Sequence, residues 1–171
     1  GDRVNAILSL RFGDPESLKG SSFIGSATAS LLPHGTTTLS RQQIEDRLTE
    51  LQASVDFSGG ANGVEISMET TKDHLAEALA VVIDVLREAN FPAAELDKYK
   101  AQRLTRISNA RTEPSAVATQ ELGRHLNTWP KGDIRYTPSF DESEESINSL
   151  TQADLLAFHE RFYGAGDIRF S

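Results

Sequence analysis

Chemistry needs side chains that can hold a metal, attack a carbon or move a proton, and this sequence is sparing with them. Its histidines, His34, His74, His125 and His159, are scattered. No two fall at i, i+3 or i+4, the spacings that bring a pair of ligands to one helical face. Surface or hydrogen-bonded core histidines account best for such scatter. There is no cysteine, which removes disulfides, thiol nucleophiles and thiolate-bound metal. The stretches GSATAS (25–30) and FSGGANG (57–63) are rich in small residues. Neither matches a phosphate-cradling glycine pattern, and Ser26 lacks the glycine frame of a nucleophile elbow. The carboxylate pairs Asp141–Glu142 and Glu144–Glu145 lie at an expected helix start, where negative charge complements the backbone dipole. Lys98, Lys100, Arg103, Arg106 and Arg111 make one helix basic. A solvated face, or contact with an acidic neighbouring domain, fits them better than nucleic acid, because the net charge is −8 and no basic tract exists.

These residues must be positioned by ordinary globular structure. The chain has 171 residues, 38% hydrophobic and 25% charged, the composition of a folded domain. No run of about 20 apolar residues is present to span a bilayer. In RVNAILSLRF, Val4, Ala6, Leu8, Leu10 and Phe12 alternate with polar residues, the mark of a half-buried strand over 3–12. GDPESLKG reads as a loop. A helix is expected from about Ser21 to Leu32, stopped by Pro33 and Gly35. Ser40 and Gln43 form a capping box for a second helix, lined inside by Ile44, Leu48 and Leu51. Val55 and Phe57, then Val64, Ile66 and Met68, alternate across a turn containing Gly59, Gly60, Asn62 and Gly63, which predicts an antiparallel hairpin.

Helices then follow one another. Leu75, Leu79, Val82 and Leu86 define one over 72–89, broken by Pro92. The basic helix runs over 93–112 and ends before Pro114. A further helix carries Ala118, Leu122 and Leu126. Residues 129–143 read as an extended loop, in which Trp129 and Tyr136 are expected as packing anchors. Two short capped helices close the chain, the second held by Thr151 and Asp154 with Leu155, Phe158 and Phe162 inside. Strands and helices are segregated, so the fold class is α+β, with an antiparallel sheet covered by helices on one face. A strand pattern is under way by Arg3 and another begins at Ile168 and Phe170. The expectation is one α+β domain over 1–171, cut from a longer polypeptide. Its compartment stays open.

The order and spacing resemble a known family. A strand, a helix, a GT pair, a capped helix and an aromatic–glycine hairpin are similar to domains of the zinc peptidases related to pitrilysin, insulin-degrading enzyme and the mitochondrial processing peptidase. The stretches that carry the likeness are HGTTTLSRQQIEDRLTELQASVDFSGGANGVEISMET, LAEALAVVIDVLREANFPAAELDKYKAQRLTRI and TEPSAVATQELGRHLNTWPKGDIRYTPSFDESEESINSLTQADLLAFHERFYG. Together they cover nearly the whole chain.

The resemblance implies a metallohydrolase-type α+β domain, and it implies where zinc would be held. Active members carry HxxEH on the helix before the GT, with two zinc ligands and a general-base glutamate. Anchored on Gly35-Thr36, that window falls on Ser26, Ala29 and Ser30, and residues 21–33 contain neither histidine nor glutamate. The family's third ligand is a glutamate on a facing helix. Here that helix, residues 98–112, has no carboxylate. The implied reading is a non-catalytic, zinc-site-deficient domain of the second half of a zinc metalloprotease. Zinc would belong to the catalytic half of the parent protein. The implied partners are sister domains or a catalytic partner subunit, together with a peptide substrate. The alternative is a structural or assembly subunit of the same fold, like respiratory-complex core proteins, without protease activity. An HxxEH upstream of Gly1 would favour the peptidase. A stand-alone binding module is the third reading, and it predicts a different fold, such as a parallel sheet.

Overall fold

The computed structural model describes residues 2–164 and the backbone of 168–170. The elements are β1 (Arg3–Arg11), α1 (Ser22–Leu31) with a 3₁₀ turn at Leu32–His34, α2 (Arg41–Glu50), β2 (Ser54–Gly60), β3 (Gly63–Thr71), α3 (Leu75–Glu88), α4 (Ala93–Thr112), α5 (Pro114–Leu126), α6 (Phe140–Ser149), α7 (Gln152–Phe162) and β4 (Ile168–Phe170). One antiparallel sheet has the order β2-β3-β1-β4. In register, Ala6 faces Met68, Leu8 faces Ile66 and Leu10 faces Val64. Because side chains alternate across a strand, these six share one face, and all are buried. The opposite face carries Asn5, Ile7, Glu65 and Ser67, all exposed. The sheet is thus covered by helices on one side and open on the other, as the alternation predicts.

The helical layer follows the apolar stripes. On α3, Ala78, Val81, Val82, Val85 and Leu86 are buried. On α2, Ile44 is 1% exposed, and its first turn is closed by the Ser40–Gln43 capping box. On α7, Leu155 and Phe158 are buried, and Phe158 and Phe162 meet Phe12 at 5.8 Å between ring centroids. The Gly35-Thr36 pair has a physical basis. Gly35 has φ 153°, and a Cβ there would lie 2.8 Å from Pro92 Cγ. Buried Thr36 accepts a hydrogen bond from the Leu39 amide at 2.9 Å, which fixes the approach to α2.

Two expectations are corrected, and α5 shows an arrangement the sequence left open. Residues 129–143 are not one loop, because α6 starts at Phe140, capped by Ser139 with Glu142 reaching back to its amide. Glu142 therefore does more than complement a dipole. The apolar residues of α5 do not enter the core: Leu122 is 58% and Leu126 71% exposed. Trp129 is half exposed, with the Arg135 guanidinium 3.2 Å from its ring centre.

Phe91, between α3 and α4, is fully buried and meets His159 of α7 edge-on. His159 Nε2 donates to the Leu86 carbonyl at 2.7 Å, and its ring stacks on Tyr163. Burial holds His159 below its ordinary value of 6.5, against smaller opposing effects of the Leu86 carbonyl and the Glu88 carboxylate. Below pH 6.5 the unfolded chain binds this proton more readily than the folded one, so protonation favours unfolding. Stability is full above that pH and falls as pH drops through it. Melting temperatures should therefore fall between pH 7.5 and 5.5, and less so in His159→Gln. Equal pH slopes in the two proteins would contradict this account.

Candidate functional site

The helix on which the resemblance puts the Ser26, Ala29 and Ser30 window is α1, and its small residues let it lie very close to its neighbours. A Cβ added at Gly25 would be 2.8 Å from Phe158 Cζ, and one added at Gly59 of β2 would be 2.7 Å from the Ala29 methyl. Ala29 is 1% exposed. Ser26 is half-buried and Ser30 exposed, one turn apart on the same stripe. Both hydroxyls turn back into the helix: Ser26 donates to the Ser22 carbonyl and Ser30 to the Ser26 carbonyl, each at 2.9 Å. Thr28, fully buried, does the same to Ile24 at 2.8 Å. The three window residues thus divide. Ala29 is packed against β2, Ser26 lies at a cavity wall and Ser30 is exposed. Among the described residues no group of three or more histidine, cysteine or acidic side chains is placed to hold a metal ion.

Ser26 opens onto a polar cavity of about 460 Å³. The start of α1 supplies Ser22, Phe23 and Ser26, the middle of α4 supplies Arg103, and Lys131, Tyr136 and α6 close the rest. Its charges are mostly spoken for. Glu142 takes an ion pair from Lys131 at 3.0 Å and a hydrogen bond from the Tyr136 hydroxyl at 2.9 Å. The Ser139 amide, Lys131 and Tyr136 together hold its carboxyl down at about 2. Asp133 is likewise held at about 2, chiefly by hydrogen bonds from Arg135.

Sequence reasoning missed a second polar cluster, under the Gly35-Thr36 turn. Glu95 of α4, with its side chain 12% exposed, receives Lys98 at 2.6 Å and Arg41 at 3.3 Å and lies 3.0 Å from His34 Nδ1. The Lys98 hydrogen bond is the main reason its carboxyl is lowered. Burial, then the nearby Arg41 charge, lowers His34. The cluster ties α4 to α2. Glu95 and Lys98 are three residues apart, but His34 and Arg41 lie more than 50 residues from them, so local spacing announces only that one pair. The basic face of α4 also finds its acid within this chain: Arg111 pairs with Asp141 at 2.6 Å and Glu144 at 3.0 Å of α6. No neighbouring domain is needed to account for that residue.

A larger apolar groove of about 910 Å³ runs beside β1 between α3 and α7, lined by Leu8, Leu79, Ile83, Leu86 and Leu156. Arg87, Glu88, His159 and Glu160 also line it, as does Tyr163, whose hydroxyl has no partner among the described residues and is pushed up by burial. His74 starts α3 and His125 lies near the end of α5, each apart from both clusters. No described helix is long and apolar enough to cross a membrane.

No protein-family model matches the sequence, and no curated protein does. Solved structures do match. The peptidase M16 inactive domain from Pseudomonas fluorescens superposes with a TM-score of 0.81 at 22% identity, over 98% of this chain and 40% of that one. The periplasmic protease PqqL from Escherichia coli gives 0.76 at 16%, over 99% of this chain and 19% of its own. The ferredoxin protease FusC, in a complex with Arabidopsis ferredoxin, gives 0.74 at 11%, over 99% and 18%. This chain spans two fifths or less of each of these chains. Identity this low carries the architecture, and the architecture of this chain is that of the M16 peptidase domain, the pitrilysin-type fold.

Proposed function

We propose that this chain is a non-catalytic domain of an M16-type zinc metalloprotease, which packs beside a catalytic half and helps enclose its peptide substrate. The observation that carries the reading is Ala29. At the position where an active member would hold its general base, this chain has a methyl group sealed against Gly59. Neutral serine hydroxyls, already donating to backbone, stand where imidazoles would bind zinc. The helix opposite brings the cation Arg103 rather than a carboxylate. This donor set does not suit zinc, which takes three protein ligands of imidazole, thiolate or carboxylate type in catalytic sites. The described structural relative named as an inactive domain supports the same reading.

The test is metal content by atomic spectroscopy and cleavage of an unstructured peptide, for this chain alone and together with the catalytic half of its parent. The expectation is no stoichiometric zinc and no cleavage alone, with cleavage by the pair exceeding that of the catalytic half. Tight zinc or cleavage by this chain alone would refute the proposal. A parent without HxxEH would transfer the chain to the assembly-subunit reading.

A further inference from the structure

We propose that the polar cavity beside Ser26 binds a peptide carboxylate, received by the Arg103 guanidinium. The claim rests on the reading of this domain as one that encloses peptide, but the site is argued from its own groups. The charged residues lining the cavity are Arg103, Lys131, Asp133, Glu142 and Glu145. Lys131 and Glu142 neutralise one another at 3.0 Å, and Asp133 is held by Arg135 at 2.8 Å. Arg103 and Glu145 remain, and neither has an ion-pair partner among the described residues. They lie too far apart to form a salt bridge with each other.

Arg103 is also prepared. Its Nε donates to the Tyr99 hydroxyl at 3.1 Å, and its guanidinium carbon stands 5.3 Å from the centre of the Tyr99 ring. Tyr99 is itself buried. The Nε bond and the ring fix the guanidinium plane, and the two terminal nitrogens have no hydrogen-bond partner among the described residues. A planar fork with two free nitrogens is the geometry that takes a carboxylate through two parallel bonds. Half-burial at the cavity wall raises the value of such a bond above that of a surface pair. Glu145 gives the same cavity an acceptor for a peptide N–H or ammonium. A volume of about 460 Å³ lies within the range of pockets that hold small ligands. The ligand is therefore a short peptide segment presenting a carboxylate, either its C-terminus or an acidic side chain.

The experiment uses the whole chain and four blocked tetrapeptides. One has a free C-terminus and neutral side chains, a second is its C-terminal amide, a third is an amide carrying one aspartate, and the fourth is the same amide with asparagine. Binding is followed in ¹⁵N-correlated NMR by the Arg103 Nε–H resonance and, in the Arg103 variants that lack it, by the backbone amides of Ser22, Ser26 and Ser146, which line the cavity. The Arg103 signal should shift in a saturable manner with the free-acid peptide, the aspartyl peptide or both, and with neither neutral control. The responding peptide names the source of the carboxylate. Arg103→Gln should weaken binding at least tenfold at unchanged melting temperature, and Arg103→Lys should recover only part of it, since an ammonium cannot offer the fork. An Arg103 resonance unmoved by both carboxylates, an equal response to the neutral peptides, or unchanged binding by a folded Arg103→Gln protein would each overturn the proposal. Because no catalytic partner is present, a negative result here leaves the cleavage test of the domain's function standing, and the reverse holds too.

Discussion

Replacing Ala29 by glutamate should unfold much of the protein. Ala29 is 1% exposed, with its methyl pressed against the backbone of Gly59, so the new side chain has no space without parting α1 from β2. If it stayed inside it would be an uncompensated buried charge, which costs about 3–5 kcal/mol. A typical domain holds about 5–15 kcal/mol in total. Urea titration followed by circular dichroism measures the loss. Ser30→Glu is the control, with the same charge one residue further on at an exposed site. Near the C-terminal end of α1 its dipole penalty should stay under about 1 kcal/mol. Equal midpoints for Ala29→Glu and the parent would show that the α1–β2 contact yields easily. Under the proposed function, the prediction says that a general base cannot be installed at this position by one substitution.

Phe91→Ala should be nearly as severe. Phe91 is 0% exposed and packs edge-on against His159 at 5.6 Å between ring centroids. Truncating a buried phenylalanine to alanine costs about 3–5 kcal/mol, from lost burial and the cavity left behind. Its backbone adds no relief, because φ is 48° and alanine is as unwelcome there as phenylalanine. In a chain of this size the expected fall in melting temperature is about 10 °C, at roughly 2–4 °C per kcal/mol. Phe91→Leu keeps most of the volume and should lose less than half as much. A Phe91→Ala protein melting within about 2 °C of the parent would mean that α3, α4 and α7 close over the void.

Much of this was legible in the sequence, for reasons that differ by element. Period-two alternation fixed which faces of β1 and β3 are buried, because a strand turns one side to the core and the other to water. The capping boxes at Ser40–Gln43 and Thr151–Asp154 announced their helices through local hydrogen-bond chemistry. The same Ser-x-x-Glu signal was present at Ser139–Glu142, yet the surrounding prolines outweighed it in the reading of 129–143. The stripe on α5 left its burial open, because apolar spacing says which side of a helix is apolar and not whether anything covers it. The candidate site divides the same way. The window at Ser26, Ala29 and Ser30 came from the resemblance, anchored on Gly35-Thr36, and the structure adds what surrounds each residue. That Ala29 is sealed by Gly59, 30 residues on, while Ser26 shares a cavity with Arg103, 77 residues on, depends on contacts that no pattern of spacing encodes.

The place of β1 in the sheet has a consequence for how the protein comes to be made. The first strand of the chain sits between β3 and β4, whose pairing residues begin at Gly63 and Ile168. A nascent chain therefore exposes an apolar strand with both edges bare until β3 has emerged. At about 5–20 residues per second that is several seconds, and the β4 edge waits longer still. Contacts so distant in sequence also slow folding, since loop closure must precede their reward. The interval before β3 arrives is when this chain is most exposed to edge-to-edge association, and a chaperone that shields residues 3–11 would act at the point of greatest risk.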